Sequence, residues 1–126
     1  MTSEHWQLEP DQHDFPAAGT YLSLICDAGT VEKLVELLQG ASSTIYQAKD
    51  LLRASGLALL DKNNAHVEKD LDKVKSGRKL SPVLLVRGNY AKRRPLVVAD
   101  GYHRICASYW LDENARIPCR VADLPN

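Results

Sequence analysis

Leu96-Val97-Val98-Ala99-Asp100-Gly101-Tyr102-His103-Arg104-Ile105-Cys106-Ala107 changes its periodicity halfway along. The first half is a short apolar run with β-branched residues, the pattern of a buried strand. At Asp100-Gly101 the chain meets a residue free to take backbone angles that others resist. Beyond it Ile105 and Tyr109 fall four apart, as do Cys106 and Trp110, a spacing that predicts a helix. A strand that turns at a glycine into a helix presents unpaired backbone N–H groups, which suit an anion. His103 and Arg104 stand in that first helical turn, so a phosphate is the guest the pattern favours. A plainer reading stands beside it: a tight turn whose His103 and Arg104 pair with local carboxylates such as Asp112 or Glu113. Asp100 likewise reads as a helix cap or, more sharply, as a metal ligand beside the phosphates.

Upstream, Pro82–Arg87 and Pro95–Ala99 read as two strands joined by the loop Gly88-Asn89-Tyr90-Ala91-Lys92-Arg93-Arg94, longer than the tightest hairpin connection. Asn64 caps a predicted helix with Val67, Leu71 and Val74 as its buried stripe and Gly77 at its end; Lys69, Lys73 and Arg78 lie off that stripe. Lys49–Ala54 predicts a short helix closed by Gly56, after a β-leaning segment Ser43–Ala48. Further towards the N-terminus, Thr30 caps a helix with Val31, Leu34, Val35 and Leu38 on one face and Gly40 past its end. Asp14 caps another, with Ala18, Tyr21, Leu22 and Ile25 at helical spacing, although Tyr21–Cys26 is also apolar enough for a strand. Residues 1–13 have no periodicity and read as an irregular arm. Downstream, Ile117–Val121 is the last predicted strand. Tyr109 and Trp110 read as core, or as packing between the last helix and the N-terminal helices.

The chain has 126 residues and a formal net charge of zero, enough length for one domain with its own core. No apolar run reaches the roughly 20 residues of a membrane span. The first residues lack the pattern of a secretory signal. The 3 cysteines, Cys26, Cys106 and Cys119, sit in apolar segments and read as free thiols of a cytoplasmic protein. Zero net charge hides an asymmetry. Residues 1–40 hold seven carboxylates against Lys33 alone, a net of −6, and residues 62–94 hold ten cations against three carboxylates, a net of +7. Such a local basic excess attracts polyanions, or is simply a solvated helix face and loop tip.

Asp100-Gly101-Tyr102-His103-Arg104, the small-residue helix after it and Ile117-Pro118-Cys119-Arg120-Val121 resemble the ParB/sulfiredoxin superfamily. Partition proteins of the ParB type carry Gly-Glu-Arg-Arg-x-Arg-Ala at this point and sulfiredoxins Gly-Cys-His-Arg. The resemblance covers about residues 45–121. It implies an α+β fold, a small mixed sheet with helices packed on it, with residues 43–126 as core and 1–42 as an N-terminal arm and helical hairpin. It implies a phosphate site made by Gly101, Tyr102, His103 and Arg104, reached by Lys69, Lys73, Lys79 and Ser81, with Tyr102 placed to stack on a base or ribose. The sulfiredoxin catalytic Cys is replaced by Tyr102, which has no thiol chemistry. Cys106 stands where a ParB signature arginine would be, and no helix-turn-helix domain follows. What the resemblance leaves is a stand-alone ParB-like nuclease-type domain that binds a nucleotide, ATP or CTP, or a nucleic acid. Its candidate catalytic groups are His103 and Asp100, with His66 or Asp61 as lesser candidates and Mg²⁺ as a possible cofactor. No residues have metal-ligand spacing, though His5 and His13 among acidic neighbours are of a chelating type. The competing expectation is a non-catalytic binding module that keeps the fold without turnover. The acidic hairpin is then a candidate surface for a protein partner or a second copy.

Overall fold

The computed structural model describes residues 5–125. Five helices and four strands follow in the order α1 (Asp14–Leu22), α2 (Ala28–Gly40), β1 (Thr44–Gln47), α3 (Ala48–Ser55), α4 (Ala65–Lys75), β2 (Val83–Val86), β3 (Val97–Asp100), α5 (Tyr102–Leu111) and β4 (Arg116–Ala122). The strands form one mixed α+β sheet in the order β1-β4-β2-β3. β4 runs parallel to β2, whereas β1–β4 and β2–β3 are antiparallel.

Helices cover both faces of the sheet, so all four residues of β2 are buried and the strand reads as an unbroken apolar run. Alternate side chains divide between two cores, as the two-residue period of a strand requires. Val83 and Leu85 join Leu51 and Leu52 of α3, Val67 of α4 and Ile105 and Cys106 of α5. Leu84 and Val86 face the other way, onto Phe15, Ala18 and Leu22 of α1 and Leu34 and Leu38 of α2. The acidic N-terminal hairpin thus closes the second face of the sheet.

Several local expectations are corrected. α1 begins at Asp14 and buries Phe15, Ala18 and Leu22, leaving Tyr21 and Ile25 exposed past the packed stripe. α2 is capped by Asp27, whose carboxylate accepts from the Thr30 N–H at 2.8 Å, and Gly40 is its last residue. The irregular arm is partly tied down: Trp6 is 4% exposed and bridges Leu80, with Gln7 N–H donating to Leu80 O at 2.8 Å and Leu80 N–H to His5 O at 2.7 Å. Trp110 packs away from the N-terminal helices, its indole N–H donating to Leu60 O at 2.8 Å. The cap at Asn64 is as expected, its side chain accepting from His66 and Val67 N–H. No helix among the described residues is long and apolar enough to cross a membrane.

The β3–α5 turn is the tightest point. Gly101 has φ +113°, and a Cβ built there would lie 2.5 Å from Val83 Cγ1 and 3.0 Å from the Arg104 guanidinium. Both the backbone conformation and the space demand glycine. Gly40, at the end of α2, has open space around it. Gly101→Ala is expected to cost about 2–4 kcal/mol and Gly40→Ala less than about 1 kcal/mol in either direction. Urea denaturation midpoints of the two variants check this.

Candidate phosphate-binding cleft

Two helices meet at the turn. On α4, His66, Lys69, Asp70 and Lys73 fall at i, i+3, i+4 and i+7, which places them on one face. That face looks across a cleft of about 180 Å³ at Asp100, Gly101, His103 and Arg104. α5 starts from Gly101 with no side chain capping it, so its first-turn N–H groups have no cap acceptor. Their partial positive charge adds to that of Lys69 and Lys73.

Arg104 is the hub of the polar contacts. Its Nη2 donates to Asp100 Oδ2 at 2.8 Å and to Pro82 O at 3.2 Å, and lies 3.9 Å from Asp14 Oδ2. Its Nε, fully buried, has no hydrogen-bond partner among the described residues. Asp14, 3% exposed, accepts from Ser81 Oγ, which itself accepts from the Asp11 N–H at 3.0 Å. The partner of Arg104 is therefore Asp100, one turn back on its own segment, and not Asp112 or Glu113.

Burial sets the charge states. It pushes the Asp100 carboxyl above its ordinary value, with Arg104 pulling it back, and likewise raises Asp70, opposed by Lys73. His103 is held below its ordinary value, first by burial and then by His66, whose ring centroid lies 4.7 Å away. A neutral imidazole at neutral pH both donates and accepts, the state a general base needs. The buried thiols of Cys106 and Cys119 are raised by desolvation, Cys119 to about 12, which makes them poor nucleophiles.

The expected site residues are thus divided. Lys69, Lys73, Asp100, Gly101, His103 and Arg104 line the cleft together, with His66. Lys79 and Ser81 line an adjoining hollow of about 240 Å³ that shares Asp70, Lys73 and Arg104 with it. Tyr102 turns away, its hydroxyl donating to Ala58 O at 2.5 Å. Asp61 does not line the cleft. Sequence reading passed over Asp70 and treated Asp14 as a mere cap. The α4 spacing signals Asp70; nothing local signals that Asp14 reaches Ser81, 67 residues away.

Asp11, His13 and Asp14 offer metal-ligand atoms within 4.8 Å of one another. They fit Mg²⁺ poorly. Asp11 already accepts from the Gln7 amide at 2.9 Å, Asp14 serves Ser81 with Arg104 at 3.9 Å, and the third donor is a nitrogen where Mg²⁺ wants oxygen. In the cleft itself Asp100 is taken by Arg104.

Comparison with known protein families, with curated proteins and with solved structures finds no match to this chain. The ParB/sulfiredoxin likeness rests on the residues quoted from the sequence.

Asp70 is 8% exposed, and Lys73, 4.0 Å away, is its one ion-pair partner among the described residues. Its raised carboxyl means that the folded state holds its proton more tightly than the unfolded chain, so ionisation costs stability above the ordinary value of 3.8. Asp70→Asn is expected to raise the thermal midpoint at pH 7, and the gain should shrink as pH falls towards 4. A midpoint series from pH 4 to 8 measures it.

Proposed function

We propose that the cleft between α4 and the start of α5 binds a phosphate of a nucleotide, ATP or CTP, or of a nucleic acid, in a ParB/sulfiredoxin-like domain. The observation that carries this reading is the uncapped N-terminus of α5 opening on a cleft lined by His66, Lys69, Lys73 and His103. The phosphate takes the first-turn N–H groups, and the lysines supply charge. Arg104 acts mainly as a positioning residue, because its Nη2 is committed to Asp100 and Pro82. Lys79 lines the adjoining hollow and extends the positive charge towards a longer polyanion, whereas Ser81 is already held by Asp14 and Asp11.

For hydrolysis, His103 is the group able to take a proton from water. Asp100, neutralised by Arg104, orients that guanidinium rather than activating a nucleophile. Mg²⁺ enters this reading only as a companion of the ligand's own phosphates. The ion pair of Asp100 favours a second reading, phosphate binding without turnover.

Arg104→Ala is a poor test on its own, since it leaves Asp100 without its ion-pair partner. Lys69→Ala with Lys73→Ala leaves the buried network alone. Isothermal titration of ATP, CTP and a short single-stranded DNA should show one of them bound and weakened at least tenfold in the double variant. No binding by the wild type, or equal binding by both, overturns the reading. Turnover of the bound ligand, lost in His103→Ala, separates enzyme from module.

Protonation of His103 adds charge beside the phosphate. A phosphodiester keeps its own charge over this range, so DNA affinity should rise as pH falls from 8 through the ordinary histidine value of 6.5 and below it. The rise should flatten in His66→Ala with His103→Ala. A pH-independent affinity in the wild type contradicts the placement.

A further inference from the structure

At the opposite end of β2 from Gly101 lies a cavity of about 510 Å³ that shares no lining residue with the phosphate cleft. Its floor is apolar and drawn from three elements and one loop residue: Leu51 and Ala54 of α3, Leu85 of β2, Val121 of β4, and Leu96 beyond the 88–95 loop. This size and lining are those of small-molecule sites. The wall is held open by backbone bonds. Asn89 and Arg94 exchange N–H···O bonds of 2.8 and 2.9 Å across the loop base, and Leu96 N–H donates to Ala54 O at 3.0 Å. Gly88 packs so closely under the loop that a Cβ would lie 2.5 Å from Arg94 O. A pocket braced in this way loses little entropy on binding.

Charge at the mouth selects the ligand. Arg87 is already engaged by Asp123, its Nε donating at 2.7 Å, and Asp50 is met by Arg53 at 3.3 Å. Arg94 also lines the cavity, is exposed, and has no ion-pair partner among the described residues. The mouth therefore keeps one cation to spare above an apolar floor. A polyphosphate gains nothing from that floor, and a neutral hydrocarbon gains nothing from the arginine.

We propose that this cavity binds a small amphiphilic carboxylate, its hydrocarbon or aromatic body on Leu51, Ala54, Leu85 and Val121 and its carboxylate on Arg94. Octanoate and octan-1-ol are the probes, titrated by NMR against the ¹⁵N-labelled full chain. Octanoate should shift the amides of residues 51–54, 85 and 121 and bind more tightly than octan-1-ol. Arg94→Gln should weaken octanoate about tenfold and leave octan-1-ol unchanged. Ala54→Trp, which fills the cavity from an exposed helix position, should abolish both without lowering the thermal midpoint. Absence of octanoate binding, equal binding of acid and alcohol, or indifference to both substitutions overturns the proposal.

Discussion

The contact between Gly101 and Val83 is the constraint on which the rest depends. With no side chain in the turn, α5 can start directly against β2, and Arg104 is then carried to the end of that strand. There it meets the carbonyl of Pro82, the carboxylate of Asp100 and, through Asp14, the N-terminal hairpin. One missing Cβ thereby joins the sheet, α5 and α1 at a single polar knot. A part-buried arginine beside two carboxylates is tolerated because its charge is balanced and its Nη2 is hydrogen-bonded twice. Its Nε is buried without a hydrogen-bond partner among the described residues.

Charge is distributed around this knot with a purpose that the net value conceals. Half of the acidic excess of residues 1–40 lies on α1, α2 and their link, over the Leu84 and Val86 face of the sheet, whereas α4 with its lysines packs on the other. Asp14 reaches between them, accepting from Ser81 Oγ and lying 3.9 Å from Arg104. Asp70 is the one carboxylate in the cleft without a close hydrogen-bonding partner, so the site as folded is cationic but restrained.

How much of this was legible in the sequence depends on distance along the chain. The strand, glycine turn and helix of residues 96–111 follow from a change of period within one stretch, and the α4 stripe and its Asn64 cap from another. The candidate phosphate residues on α4 and α5 come together because both helices were readable. Ser81 and Tyr102 were misdirected by contacts that no local pattern carries: Ser81 is held by Asp14, and the Tyr102 hydroxyl by Ala58, 44 residues away. Trp6 was hidden for the same reason, since an arm without periodicity is ordered by distant partners, among them the Leu80 backbone it pairs with. The boundary of α1 failed differently. Tyr21 keeps helical spacing with Ala18 yet lies off the buried stripe of Phe15, Ala18 and Leu22, and Ile25 falls beyond Leu22, the last residue of α1.

The central claim is that the first turn of α5 receives a phosphate, and the amides of that turn report on it directly. An ¹H–¹⁵N NMR titration with inorganic phosphate should move Tyr102, His103 and Arg104 first and furthest, with downfield amide proton shifts from new N–H···O bonds. Shifts confined to exposed lysines and arginines at residues 75–79 and 92–94, with the α5 turn unmoved, would contradict it.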